Sequence, residues 1–395
     1  MNGRERTLKA LNLEIPDRVP MYDWFDEPLT IGVAEKLGLL THHEGSVLRR
    51  GDETEESVHL YCSVVDALSV DCTSNVYGTG FEAIDADYGR DRYGRTFLLS
   101  EHGEPGIWSS EVKTVQDLKN YDMVGRIEDK DFDGIRMVQK ALPDRAHALN
   151  AKGPFHEAWL VLGGMDKLLF AFATDPVLVH ETMRTVVEFT KELYRIAKYN
   201  LKMDFIVMDG DLCGNDYTLM SHDHFREFIF PYKKELIDYA HGLGMKVVKH
   251  SDGMVWSLID DFIELGIDGF HPVQPQCMDL AQTKAYLFGK MAVCGNVDCL
   301  ETLVTGTPDD VIRESRQVIE TGAPGGGYIF CSSNSLHPGC KPENVIAMFE
   351  AGLEYGNYAN ISTSPKAAPP PPDTTPKRSR RQTSRRKAVS NVIAA

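Results

Sequence analysis

Carboxylates, imidazoles and amides recur in this chain at one kind of place, directly after short apolar runs. DFIVM is followed by Asp209-Gly210-Asp211, MKVVK by His250-Ser251-Asp252-Gly253, and the run ending at Phe270 by His271. MAVC leads into Asn296 and Asp298, and the run from Gly327 to Cys331 leads into Ser332-Ser333-Asn334. Earlier in the chain RVPMY ends on Tyr22, ALSVD ends on Asp71, and HALNA carries Asn150 with Lys152 just beyond. A continuation of the core would be apolar at these points, so the groups offered there suit acid/base work or metal binding. Asp before Gly is also a common turn, which makes Asp209 or Asp252 alone equally a loop residue. Convergence of many such ends carries the argument.

His250 illustrates both readings. A lone histidine after an apolar run is more often structural. With Asp252 two residues on, and Asp209, Asp211 and His271 on the neighbouring runs, a His plus carboxylate site for Zn²⁺ or a similar ion is chemically reasonable. His-x-Asp specifies a metal less tightly than His-x-Cys or HExxH. No GxxxxGK[ST], GxSxG or HExxH is present, nor a GxGxxG after a strand. The eight cysteines include no CxxC pair and read as reduced thiols, of which Cys213 and Cys331 fall beside the expected site.

These residues need a scaffold that brings many strand ends together. Eight β-rich runs are expected as strands: 18–22, 67–71, 147–151, 204–208, 245–249, 266–270, 291–294 and 327–331. Between them the helical period recurs over 175–198, 221–241, 255–265, 280–287, 308–321 and 342–354. Alternation of this kind signals parallel βα units, and eight of them make a single (β/α)8 barrel of the TIM type, whose sites lie at the C-terminal strand ends. YGRDRYGR predicts a hairpin inserted over 88–99.

The chain has 395 residues, with 42% hydrophobic and 25% charged residues and a net charge of −16. These are the proportions of a globular protein, and no apolar stretch approaches the roughly 20 residues of a membrane span. The N-terminus lacks the apolar core of a secretory signal, so a cytoplasmic protein is expected. The barrel is assigned to residues 1–361. Residues 362–395, with four consecutive prolines and eight Lys or Arg against one Asp, are expected to be a disordered basic tail. The remainder is then more acidic than the whole, which argues against nucleic acid or a membrane as partner of the barrel.

Several segments resemble the uroporphyrinogen decarboxylase superfamily: RERTLKALNLEIPDRVPM, KHSDGMVWSLIDDFIELGIDGFHPVQP, GNVD, APGGGYIFCSSNSLHP and PENVIAMFEA, together spanning roughly residues 3 to 358. The resemblance implies one (β/α)8 barrel and either porphyrinogen decarboxylation or cobalamin-linked methyl transfer. Against the decarboxylases, an arginine-rich stretch is replaced by Tyr22-Asp23-Trp24-Phe25-Asp26-Glu27, the wrong charge for a polycarboxylate; their aspartate after the second strand is matched by Asp71, and their late histidine by Asn334. Against the thiol-activating methyltransferases, which hold zinc through His-x-Cys and a later cysteine, His250 is kept while Asp252 and Asn334 stand where the cysteines would.

The leading reading is therefore a corrinoid-linked methyltransferase that activates a small methylated compound. Asp71, Asp209, Asp211, His250, Asp252 and Asn334 are the catalytic candidates, and Tyr22, Asn150, His271, Asn296 and Asp298 the substrate-binding ones. His250 and Asp252 are the zinc ligands expected, and the corrinoid would come on a partner protein. Decarboxylation of uroporphyrinogen or a related acid, without cofactor, is the alternative, and a non-catalytic ligand-binding barrel a third. Assembly with a second copy is left open. Limited proteolysis is expected to remove the tail and leave a stable fragment ending near residue 360.

Overall fold

The computed structural model describes residues 1–40, 55–99, 106–365, 367, 368 and 370. In chain order the strands are β1 (Cys72–Asn75), β2 (Glu82–Ala83), β3 (Tyr88–Arg90), β4 (Arg95–Leu98), β5 (Gly106–Ser110), β6 (Ala146–Lys152), β7 (Phe205–Asp209), β8 (Lys246–His250), β9 (Gly269–His271), β10 (Ala292–Cys294) and β11 (Tyr328–Ile329). β1 and β6 to β11 form one parallel sheet in sequential order, and β2 to β5 form a separate antiparallel sheet. The expected hairpin is the β3–β4 pair of that second sheet.

Helices cover the outer face of the parallel sheet, so its strands are buried on both sides and read as nearly continuous apolar runs. Alternation along each strand then separates two cores. Cys72, Ala146, Ala148, Phe205, Val207, Val248, Ala292, Cys294, Ile329 and Cys331 form a compact inner cluster, while Leu149, Ile206, Met208, Val247, Phe270 and Val293 pack outward among the helices. The same alternation turns Asn150, Asp209, His250 and His271 inward. Many inner residues are small.

The first expected strand, over 18–22, is not formed as a regular element. Instead Met21 bridges Phe330 and Tyr22 bridges Cys72, both parallel, at the two edges of the seven-stranded sheet. Pro20 within this segment, and Pro16 just before it, withhold backbone donors and limit ladder formation.

The second expected strand is displaced, with consequences for the site. ALSVD does not form a strand: the helix Glu55–Ala67 runs into it, Ser69 turns at φ 54°, and the strand begins only at Cys72. Asp71 therefore lies at the N-terminal end of β1, opposite the end that carries His250, and is corrected from a catalytic to a structural residue. Its buried carboxylate accepts from Arg6 Nη1 at 2.6 Å, Arg18 Nη1 at 2.6 Å and the Met21 amide at 2.8 Å. One carboxylate thus ties the first helix, the 18–22 segment and β1 together.

A second buried group anchors the inserted sheet. Arg95 of β4 donates to Asp91 at 2.6 Å and to Glu157 on the helix Pro154–Leu162, which follows β6. At the C-terminal side the Gly325 amide donates to Ser362 O at 3.2 Å, one residue past the boundary expected at 361, and residues 371–395 of the expected tail lie outside the described residues. No helix among the described residues is long and apolar enough to cross a membrane.

Removing Asp71 leaves Arg6 and Arg18 buried without their common partner. Asp71→Ala is expected to cost about 3–5 kcal/mol, read from denaturant midpoints, while metal affinity at the other end of the sheet stays unchanged.

Candidate functional site

β7, β8 and β9 are neighbours, and their C-terminal residues meet. His250 and His271 are register partners, and their Nδ1 atoms lie 2.8 Å apart. The other nitrogen of His250 faces Asp209 Oδ1 at 3.9 Å and Asp211 Oδ1 at 3.8 Å, too far for hydrogen bonds but close enough for strong electrostatic coupling. The Asp252 amide donates to Asp211 Oδ1 at 2.9 Å, which locks the β7 turn against the β8 turn. Asn334 Nδ2 donates to Asp252 Oδ2 at 2.6 Å, and Asp252 Oδ1 is buried with no partner among the described residues. Asp211, His250 and Asp252 each bring one ligand atom to within 4.8 Å of the others.

The turn after Asp252 requires glycine. Gly253 has φ 86°, and a Cβ there would meet Gly214 O at 2.5 Å. Close approach lets Met254 donate to Gly214 O, which holds the loop after β7 over the loop after β8.

Beneath the carboxylates lies Lys249, wholly buried. Its ammonium donates to Gly210 O at 2.5 Å, to Met208 O at 3.4 Å and to His250 O, capping the ends of β7 and β8. Burial pulls its pKa down to about 8 against the opposing pull of Asp211 and Asp209. Asp209 is pushed up by burial, but Lys152, His250, His156 and Lys249 outweigh that effect and hold its carboxyl below the usual range. Asp252 goes the other way: burial lifts it to about 6, with His250 opposing and Asp211 and Asp209 adding to the rise. Burial drives His271 well below the ordinary histidine value, and the neighbouring His250 adds to the effect.

Most of the expected residues come together here. Asp209, Asp211, His250, Asp252 and Asn334 form the cluster, His271 joins it, and Tyr22 sets its ring edge-on to His271 at 5.8 Å between centroids. Asn150 faces inward two residues before Lys152, whose ammonium lies 3.8 Å from Asp209. Asn296 and Asp298 follow the end of β10 as expected, but they hydrogen-bond to neighbouring loops. Asn296 Nδ2 holds the loop at Val273 O, and Asp298 accepts from the Leu300 and Glu301 amides and from Gln276, so their polar groups are engaged in shaping loops.

Three groups escaped sequence reading. Lys249 interrupts an otherwise apolar parallel strand, which was the signal available. His156, stacked on Trp159 at 4.5 Å and driven well below the ordinary histidine value by burial, lies within electrostatic reach of Asp209 and had no spacing to mark it. Asp23, read as charge that would face a polycarboxylate substrate, is instead 1% exposed and accepts from the Ser332 amide at 2.7 Å, Ser332 Oγ at 2.9 Å and the Trp24 amide. Burial lifts its pKa to about 7 although these hydrogen bonds pull it down.

Residues 92–355 match the family described as uroporphyrinogen decarboxylase (URO-D). The chain belongs to the uroporphyrinogen decarboxylase family. Its relatives carry two activities. The uroporphyrinogen decarboxylase of Anaeromyxobacter dehalogenans is 26% identical over 235 residues, covering 57% of this chain and 63% of that protein. This chain thus spans less than two thirds of that relative's length. Methylcobamide:CoM methyltransferase MtbA of Methanosarcina acetivorans is 26% identical over 358 residues, 87% of this chain and 96% of that one. Among solved structures, a methyltransferase from Methanosarcina mazei superposes with a TM-score of 0.67 over 90% of this chain and 99% of its own, at 18% identity, which supports the shared fold.

Asp23 supplies a test of this electrostatic picture. Its folded pKa lies above that of the unfolded chain, so the native state holds the extra proton between pH about 4 and about 7, and stability falls as pH rises through that window and levels off above it. Asp23→Asn is expected to flatten this contribution, measured as urea midpoints at pH 5 and pH 8.

Proposed function

We propose that this chain is a corrinoid-linked methyltransferase that binds a metal through Asp211, His250 and Asp252 and passes the methyl group of a small methylated compound to a corrinoid carried by a partner protein. The observation that carries the reading is the contact of Asn334 with Asp252 beside His250. These are the positions at which the resemblance to the thiol-activating methyltransferases puts the metal ligands, and they meet in space although neither cysteine is present. Single bridges at Met21 and Tyr22 link the segment before Asp23 to the two edges of the seven-stranded sheet that carries this site.

The donor set fits a divalent ion. One imidazole and two carboxylates suit zinc, and oxygen donors also admit manganese or cobalt, whereas a thiolate-rich site is not built. Asp252 Oδ1, buried and without a hydrogen-bond partner among the described residues, is a donor atom suited to a positive partner. When bound, the ion supplies Lewis acidity that draws electron density from the leaving atom. The chain's own residues do the rest. Asn334 orients Asp252, Lys249 fixes both strand ends, and Lys152 with Lys249 keeps Asp209 ionised. In the overall transfer the bond from methyl carbon to oxygen or nitrogen breaks, the leaving atom keeps its electron pair, and the reduced corrinoid supplies the pair that forms the new bond to carbon.

Decarboxylation keeps the support of the family description and of the Anaeromyxobacter relative. Against it stands the charge at the strand ends. Uroporphyrinogen carries eight carboxylates and would meet Asp209, Asp211 and Asp252 there, although Asp23 is buried and adds nothing to that repulsion. Incubation with uroporphyrinogen, and separately with methylated donors plus reduced corrinoid, separates the readings: methylcorrinoid is expected, and coproporphyrinogen at a useful rate would overturn the proposal. His250→Ala is expected to abolish zinc binding in calorimetry with a thermal midpoint close to that of the parent, since the half-buried ring fills no core position.

A further inference from the structure

We infer that His271 joins substrate to the metal-binding histidine: its Nδ1 positions His250, and its Nε2–H donates to a lone pair on the methylated compound. The inference rests on the metal reading of His250. It selects among donors, favouring methyl ethers and other compounds that keep a lone pair at the recognised atom over quaternary ammonium ions, which have none.

The argument is one of hydrogen-bond polarity. Two imidazole nitrogens 2.8 Å apart share a hydrogen bond only if one carries the hydrogen and the other the lone pair. His250 turns Nε2 toward Asp209 and Asp211 at 3.9 and 3.8 Å, beyond hydrogen-bond length, on the side of the candidate metal group. A neutral histidine that offers its Nε2 lone pair there holds its hydrogen on Nδ1. That hydrogen is donated to His271 Nδ1, the usual arrangement in which a ligating histidine is oriented through its second nitrogen. The acceptor here is unusual, because it is itself an imidazole. His271 accepts at Nδ1 and, neutral in its buried setting, carries its own hydrogen on Nε2.

That Nε2 is buried and has no partner among the described residues. The ring is 5% exposed and faces inward, with Tyr22 edge-on and His250 on its other side. An N–H shut away from water without an acceptor is costly, so a ligand that brings an acceptor to this point recovers what the fold leaves unmade. The reverse polarity would put the His250 hydrogen on Nε2, where it competes with a cation. Metal binding and acceptor recognition therefore require the same hydrogen-bond direction, and each favours the other through one pair of rings.

Nitrogen-15 NMR of the intact, histidine-labelled protein, with and without zinc, reads the direction. The expected result is a protonated Nδ1 on His250 and a protonated Nε2 on His271, sharpened by zinc. Two oxygen probes, 2-methoxyethanol and methoxybenzene, are expected to shift the His271 Nε2–H resonance, and tetramethylammonium is not. Variants separate the two roles. In His271→Asn the amide oxygen replaces Nδ1 as acceptor, so zinc affinity is kept while probe affinity falls about tenfold; in His271→Gln the amide nitrogen replaces Nε2, so the reverse is expected. Circular dichroism confirms that each variant is folded. A His271 protonated on Nδ1, oxygen probes that leave Nε2–H unmoved, or unchanged probe affinity in a folded His271→Asn protein each overturn the inference while the metal reading stands. A parent protein that binds no zinc overturns both.

Discussion

A buried ammonium makes the carboxylate cluster tenable. Asp209, Asp211 and Asp252 stand on adjacent turns, and two carboxylates about 4 Å apart repel by about 4 kcal/mol at an effective dielectric constant of 20. Lys249 sits beneath them and is bound to the carbonyls at the ends of β7 and β8, so its charge serves the turns and the side chains together. Asp252 then locks onto Asp211 through its amide, and His250 is held between the carboxylates and His271. Without the cation the ends of β7 and β8 would lose this cap on their carbonyls, and the relief of Asp209 would fall chiefly to Lys152. The remaining fold delivers β7, β8 and β9 side by side so that one lysine reaches both turns.

The opposite end of the sheet is organised by the converse device, one carboxylate among arginines. Asp71 gathers Arg6 and Arg18, and through them the first helix and the irregular 18–22 segment that touches both edges of the sheet. Both ends thus spend a buried charge on joining elements that strand pairing alone does not join. The division of labour follows the general pattern of such α/β architectures, with stability at the N-terminal strand ends and chemistry at the C-terminal ends.

Six of the strands were legible because a parallel strand between two apolar layers leaves a run of hydrophobic residues that ends sharply in polar ones. MKVVKHSD shows the whole pattern: Val248 and His250 face in, Val247 and Lys249 face out, and the polar residues begin where the strand leaves the sheet. ALSVD misled because it has the same composition while belonging to a helix end and a turn; its polar terminus pointed to Asp71 when the strand lay four residues further on. Asp23 reads as charge facing a substrate for a related reason. Composition records that a carboxylate is present, and only packing shows that Ser332 has drawn it inside. Asn296 and Asp298 occupy the right strand end but spend their hydrogen bonds on loops, a choice that depends on Val273, Gln276 and Leu300 and leaves no trace in local sequence.

Charge balance bears on what the cluster is for. Asp209 is held ionised by Lys152, His250, His156 and Lys249, whereas Asp252, close by, is lifted to about 6. The two carboxyls differ because the lysines serve Asp209 more strongly than Asp252, whose one direct side-chain hydrogen bond among the described residues is to a neutral amide. A neutral ligand cannot correct that imbalance. A positive group placed among Asp211, His250 and Asp252 would restore Asp252 to its ionised form, share the charge of Asp211 and meet an imidazole lone pair whose direction His271 has set. A thiolate site of the kind the resemblance evokes would need no such correction from its surroundings, because thiolates carry their own softness to the metal. Oxygen donors leave more of the positive charge on the ion, and that residual charge is suited to drawing electrons from a leaving atom and less suited to sustaining a nucleophilic sulfur.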